Sequence, residues 1–298
     1  ISDYALDSLK KELFDLEQEF PDLVTLDSQT QRVAGQQLDG FAKVQPPGRM
    51  ISLNDAFSEG DLRAWLERLE NYLGHAYAGD FYCDLKMDGL AVELRYEEGL
   101  FVQASTRGDG LIGEDVTQNI KTVEAVPLRL RATTRAVPAQ VLVRGEVFLK
   151  KSEFERINAE LATTDEKKYA NPRNLAAGAV RQLDPSITAS RKLSFYGYSV
   201  VGLDGEYGGT FATHQSEYEA LREWGVPVNP YGRVAPDVVG VLEFYRTWEE
   251  KRDGLDYEFD GTVISANDNH IYRRAGIVGK SPRGAIALKF APRQAQTI

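Results

Sequence analysis

One cysteine and three histidines in 298 residues leave little material for two common kinds of chemistry. Cys83 has no partner for an internal disulfide. A single thiol with His75, His214 and His270 scattered along the chain does not make a zinc site, so no metal site is expected. Long apolar runs are missing too. No stretch approaches the ~18 uncharged apolar residues of a membrane-spanning helix, and Asp3 and Asp7 break the opening residues where a signal peptide would be apolar. The expectation is a cytoplasmic chain with no membrane partner. Positive charge is in deficit: 35 lysines and arginines face 45 aspartates and glutamates, and the net charge of -10 opposes non-specific binding to phosphate backbones. There is also no starting methionine, and the chain stops abruptly at Gln296-Thr297-Ile298, so an excised piece of a longer protein is expected.

What is present is an ordinary globular composition, 42% apolar and 27% charged, without repeats, heptads or low-complexity tracts. Leu6, Leu9, Leu13 and Leu16 step by three and four and predict an amphipathic helix over Asp3–Phe20, ended before Pro21. A loop runs through Pro46-Pro47-Gly48, and Leu62, Trp65, Leu66, Leu69, Tyr72 and Leu73 write a second helix stopped at Gly74. The period then becomes extended. Strands are expected at Phe81–Lys86, Ala91–Tyr96, Leu100–Thr106, Val141–Leu149, Leu193–Val200, Tyr257–Ala266 and Ala285–Phe290, with a hairpin through Glu97-Glu98-Gly99. Helices fall between them at Ser152–Ala162, from Pro172, at Gln215–Trp224 and at Pro236–Lys251. Strand pairs mixed with helices point to an α+β fold with mainly antiparallel sheets. A domain boundary is placed near residue 40, leaving 1–40 as a small helical subdomain and 41–298 as the main domain.

Asp84-Leu85-Lys86-Met87-Asp88-Gly89 carries the most chemistry. Lys86 closes a strand, and an ε-amine attacks phosphorus only when neutral, which burial or neighbouring cations promote. Gly89 lets backbone come close to a ligand. Lys-x-Asp-Gly alone arises by chance in roughly one chain of this size in fifteen, so its companions decide. In order they are Thr106-Arg107-Gly108-Asp109-Gly110, Arg144-Gly145-Glu146-Val147-Phe148, Asp260-Gly261-Thr262-Val263-Ile264 and Ala287-Leu288-Lys289-Phe290. A basic stretch accompanies them: Lys167, Lys168, Arg173, Arg181, Arg191 and Lys192 are opposed only by Asp184. It reads either as a solvated face or as a nucleic-acid contact. The tryptophans Trp65, Trp224 and Trp248 read as core, as does Cys83, and the histidines receive no role.

This motif order resembles that of the covalent nucleotidyltransferases, which include DNA ligases, RNA ligases and capping enzymes. The flanking text, Gly113-Glu114-Asp115-Val116-Thr117-Gln118-Asn119 and Ala170-Asn171-Pro172-Arg173-Asn174-Leu175-Ala176-Ala177-Gly178, resembles NAD-dependent DNA ligases in particular, over essentially the whole chain. The resemblance implies a covalent nucleotidyltransferase fold. It also implies a lysyl-AMP intermediate on Lys86, with Asp88, Asp260 and Lys289 as the other catalytic groups. Ser52, Leu53, Asp84, Arg107 and Glu146 would bind the nucleotide, Glu146 by its ribose hydroxyls and Asp84 near the adenine. Arg173, Arg181 and Arg252 would contact phosphate on cofactor or DNA, and Asp3 and Asp7 would face the nicotinamide mononucleotide (NMN) side. NAD and magnesium are the implied cofactors and nicked duplex DNA the implied partner, in replication and repair. The chain would be a monomer, followed in the whole protein by OB-fold, zinc-finger, helix-hairpin-helix and BRCT domains.

Four residues depart from the family pattern. Asp84 stands where glutamate is usual, Ser265 replaces a lysine, Gly284 replaces a tryptophan, and Leu6 sits where a tyrosine is typical, with the family's upstream tyrosine-histidine pair absent. Lys280 is a candidate to compensate for Ser265. Two other readings stay open at this point: a nick-binding module with weakened catalysis, and an ATP-using polynucleotide ligase or capping-type enzyme.

Overall fold

The computed structural model describes residues 3–32, 37–164, 167–202 and 211–291. The expected first helix is present at Asp3–Glu19, followed by 3-10 turns at Pro21–Leu23 and Gln29–Arg32. Two leucines of its stripe stay outside the core, Leu9 at 54% exposed and Leu16 at 48%. The segment is instead tied down by polar contacts. Lys10 pairs with Glu124, and the Arg32 guanidinium donates to the carbonyls of Lys121, Val123 and Val126.

Two sheets form the body. A five-stranded sheet runs in the order Asp55–Ala56, Ala285–Lys289, Phe259–Ala266, Phe81–Met87, Arg233–Ala235, antiparallel except where Asp55–Ala56 joins. A four-stranded antiparallel sheet runs Leu100–Thr106, Leu90–Glu97, Gln140–Phe148, Ser194–Val201. Each expected strand is found within two residues of its predicted ends. The chain passes from one sheet to the other through Asp88-Gly89, directly after Lys86. Alternation then places Phe81, Cys83 and Leu85 on one face of their strand and Tyr82, Asp84 and Lys86 on the other.

The first face belongs to a core with Leu62, Trp65, Leu69, Phe244, Ile264 and Leu288. The second faces the other sheet, whose core gathers Val92, Leu94, Tyr96, Val143, Phe195 and Trp224. Burial raises the Cys83 thiol to about 12, so it is an inert core group. The helix Glu59–Leu73 starts at Ser58, whose hydroxyl accepts from Asp61 N, and stops at Gly74, with φ of 80°. Helices Thr117–Lys121, Pro185–Ala189 and Asn269–Ala275 escaped the sequence reading, since five to seven residues give too few turns to display a period.

Candidate active site

A cleft of about 410 Å³ opens between the two sheets. Lys86 reaches it from the end of its strand, and Lys289 reaches it from the strand two places away, with Gly261 opposite Lys289 between them. Asp260 serves both lysines: its Oδ1 lies 3.3 Å from Lys86 Nζ, and its Oδ2 accepts a short hydrogen bond from Lys289 Nζ. Asp55 Oδ1 stands a further 3.9 Å from Lys289. Desolvation pulls the Lys289 ammonium down, but Asp260 by hydrogen bond and charge, with Asp55, outweighs it and the pKa is raised. Gly261 is required here, because a Cβ would meet Leu288 O at 2.3 Å.

The opposite wall carries Glu146. Its Oε1 accepts from Gly89 N at 3.2 Å, and burial raises its carboxyl to about 7 against the pull of Lys86, Gly89, Arg173 and Arg107. Gly89 lines the cleft, and a Cβ there would sit 2.2 Å from Val147 O, so the neighbouring strand crowds it as well. Asp88 Oδ1 accepts from Arg173 at 2.9 Å. Local sequence explains that placement. The Asn171 side chain caps the helix Pro172–Val180 by accepting from Asn174 N, Pro172 fills its first turn, and Arg173 is left at the exposed start. Arg181, at the helix end, pairs with Glu114 at 3.0 Å. Two cations of the basic stretch are thus partnered by acids outside it.

A strap, residues 48–53, closes one side. Arg144, 1% exposed, binds Glu93 Oε2 at 2.8 Å and donates to Gly48 O and Arg49 O at 2.7 and 3.1 Å. Met50 N bonds Gly110 O, and Ser52 N bonds Lys280 O. The loop after Thr106 is wound tightly, with Asp109 Oδ1 accepting from Leu111 N and Ile112 N, and it presents Arg107 with its Nη1 3.5 Å from Ser52 Oγ.

The inner end of the cleft holds Asp84, 7% exposed, whose Oδ2 accepts from Tyr218 Oη at 2.6 Å and Oδ1 from Leu85 N at 2.7 Å. Desolvation raises this carboxyl to about 6, opposed by the Tyr218 hydrogen bond. Among the described residues no three His, Cys, Asp or Glu side chains converge to hold a metal ion. Among the described residues no helix is long and apolar enough to cross a membrane.

Comparison with known proteins decides what these pieces belong to. A family model described as "NAD-dependent DNA ligase adenylation domain" matches residues 38–293, and "DNA ligase-like, N-terminal NAD+-binding domain" matches residues 1–34. The chain belongs to the NAD-dependent DNA ligase adenylation domain family. It is 48% identical to the DNA ligase of Geotalea daltonii and 47% identical to that of Symbiobacterium thermophilum, over all of this chain and 44% of each relative. The chain therefore spans under half the length of those curated relatives. The ATP-dependent DNA ligase of bacteriophage T7 in complex with ATP is similar at 10% identity and a TM-score of 0.40, over 79% of this chain and 67% of that one, which is too distant to carry argument. The chain has an α+β architecture with mainly antiparallel sheets, and the family is the NAD-dependent one.

Of the residues singled out from sequence, Lys86, Asp88, Lys289, Ser52, Leu53, Asp84, Arg107, Glu146, Arg173 and Arg181 all line the cleft, with Asp260 bonded to two of them. Arg252 stands apart, over the Phe290 ring at 5.9 Å and donating to Ala291 O. The side chains of Asp3, Leu6 and Asp7 lie outside the described residues. Lys280 is exposed and does not line the cleft, so the cation missing at Ser265 is not replaced from there. His214 and Tyr218 line it although sequence reading gave them no part. Tyr218 sits at a helical core spacing, and only tertiary contact turns its hydroxyl toward Asp84.

Proposed function

We propose that this adenylation domain charges Lys86 with AMP from NAD and that, within the whole protein, the AMP serves to seal nicks in duplex DNA. The observation that carries the reading is the convergence of Lys86, Asp260 and Lys289 at one end of a cleft whose facing wall is Glu146. Lys86 Nζ, as a neutral amine, attacks the α-phosphorus. The P–N bond forms as the P–O bond to NMN breaks, the electron pair leaves with NMN, and the amine's surplus proton departs by way of Asp260 Oδ1, 3.3 Å away. Lys289, held by Asp260, stabilises charge that builds on the phosphoryl oxygens, and Glu146 accepts from the ribose hydroxyls.

Ser52 and Leu53 on the strap, with Asp84, would hold the adenine, and Arg107 the nucleotide. Arg173, Arg181 and Arg252 would contact phosphate on cofactor or DNA. Residues 1–40 would form a partial NMN-binding subdomain with Asp3 and Asp7 on the NMN side, and 41–298 the nucleotidyltransferase domain. Magnesium fits as an ion carried in on the phosphates with its own waters, since no three His, Cys, Asp or Glu donors converge among the described residues, and no step above is routed through it. OB-fold, zinc-finger, helix-hairpin-helix and BRCT domains would supply DNA grip in a cytoplasmic, monomeric whole.

Incubation with NAD labelled in its adenylate, with magnesium, tests the reading. Release of NMN is expected, with label mapped to Lys86 through a bond that survives alkali and is cleaved by acid, as a phosphoramidate is, and none on Lys86→Ala. Wild-type chain that stays unlabelled refutes it.

A further inference from the structure

Lys289 is the last residue of its strand, and its neighbours fix the direction of its carbonyl. Phe290 N bonds Asp260 O on one side, and Ala287 N bonds Asn54 O on the other. Peptide groups alternate sides along a strand, so Lys289, two residues past Ala287, turns its carbonyl to the side of the short strand Asp55–Ala56. That strand has run out by then. Its register ends with Ala56 opposite Leu288, and Phe57 N turns away to donate to Asp61 Oδ2 in the first turn of the helix Glu59–Leu73.

A carbonyl that has lost its ladder partner needs another donor. The Tyr245 hydroxyl supplies it, 3.1 Å from Lys289 O. Tyr245 sits on the helix Val238–Lys251, which is capped by Asp237 accepting from Gly240 N and buries Val241, Leu242 and Phe244. Its ring packs on Phe290 at 5.2 Å, so packing alone places the ring beside the end of the Lys289 strand. Tyr245 itself does not line the cleft.

The hydroxyl has one proton and two acceptors in reach, because Glu249 Oε1 lies 3.0 Å away on the same helix. Desolvation first, and Glu249 after it, raise the phenol to about 12, so it keeps its proton at neutral pH and remains a donor.

We propose that Tyr245 is a positioning residue for adenylation: by holding the Lys289 carbonyl it fixes where that strand ends, and with it where the Lys289 ammonium stands against the phosphoryl group. The inference rests on the adenylation reading and deepens it. Asp260 and Asp55 keep the side chain charged, and Tyr245 keeps its backbone in place.

Single-turnover labelling of Tyr245→Phe over a range of NAD concentrations tests the inference. Phenylalanine keeps the ring on Phe290 and removes only the hydroxyl. The rate at saturation is expected to fall about three- to tenfold, the scale of one neutral hydrogen bond, with KM for NAD unchanged, because Lys289 acts on charge that builds in the transition state. In a Lys289→Met background the same substitution is expected to slow labelling no further, since the group it positions is gone. Glu249→Ala leaves the proton to Lys289 O alone and is expected to label at least as fast as wild type. The proposal is overturned by a Tyr245→Phe chain that labels at the wild-type rate, whatever its melting temperature, or by equal slowing in the Lys289→Met background. A Glu249→Ala chain as slow as Tyr245→Phe also overturns it, because the working bond then runs to Glu249. Wild-type chain that stays unlabelled removes the adenylation reading and this inference with it, whereas a labelled wild type beside an unaffected Tyr245→Phe removes this inference alone.

Discussion

Replacing Arg144 with methionine removes a guanidinium that does three things at once inside the protein. It neutralises Glu93, itself only 4% exposed, and it satisfies the carbonyls of Gly48 and Arg49. Burial already raises the Glu93 carboxyl despite its partner. Stranding that carboxylate is expected to cost about 3–5 kcal/mol, the scale for breaking one side of a buried ion pair. Against a domain stability of about 5–15 kcal/mol this is a large loss. Adding Glu93→Leu removes the stranded charge, so the double variant is expected to recover most of it, keeping a deficit of about 1–3 kcal/mol from the orphaned strap carbonyls. Denaturant unfolding of wild type, both single variants and the double closes the cycle. Loss below about 1 kcal/mol in Arg144→Met, or a double variant as unstable as that single one, refutes the reasoning. The double variant also separates stability from function. With the ion pair gone and the fold regained, the strap bearing Ser52 and Leu53 has lost its two bonds to Arg144 and keeps those from Met50 N and Ser52 N, and KM for the dinucleotide is expected to rise while the labelling rate at saturation holds.

Two further outcomes follow from the reacting end. Lys289→Met is expected to slow single-turnover labelling by about 10²–10³-fold, the scale of losing one preorganised charge partner, with Asp260 and Lys86 left in place. Glu146, raised by burial from 4.5 to about 7, is protonated in the folded chain and ionised in the unfolded chain between those pH values. It therefore favours the folded state at low pH, and that contribution is lost as pH climbs through the window, while labelling that needs the carboxylate gains with an inflection near pH 7. Glu146→Gln should flatten both trends in melting temperature and labelling rate recorded against pH; an inflection that survives the substitution belongs to another group.

The two lysines of the cleft were legible because the strings that hold them are local and the strand period is simple. Alternation from Lys86 back to Asp84 and Tyr82 places all three on one face, and the ordered motifs supply Glu146, Asp260 and Lys289 without any knowledge of packing. Legibility fails where the decisive contact is distant in sequence. Arg144 reads as part of a strand motif, yet its partners Gly48 and Arg49 are nearly a hundred residues away. Tyr218 and His214 reach the cleft because the helix His214–Glu223 packs against the strand Ser194–Val201. The contact of Gly89 with Val147 O, which forbids a side chain there, is likewise invisible in the local string. In the first helix, period alone announced an apolar stripe but carries no information about what, if anything, lies against it.

Asp260 explains how two lysines so near each other take different parts on the proposed pathway. Lys289 is tethered twice, by the hydrogen bond to Asp260 Oδ2 and by Asp55 at 3.9 Å, and those carboxylates hold it as an ammonium. Lys86 pairs with Asp260 through Oδ1 at the longer distance of 3.3 Å, an oxygen that is buried without a hydrogen-bond partner among the described residues. One carboxylate therefore fixes the first cation firmly and the second loosely. The tethered lysine suits a group that must stay charged and still while a phosphoryl oxygen develops charge beside it. The looser one suits an amine that must shed a proton, turn and form a bond. Both lysines leave strands of the same sheet, so the difference in role comes from their carboxylate partners rather than from their backbone.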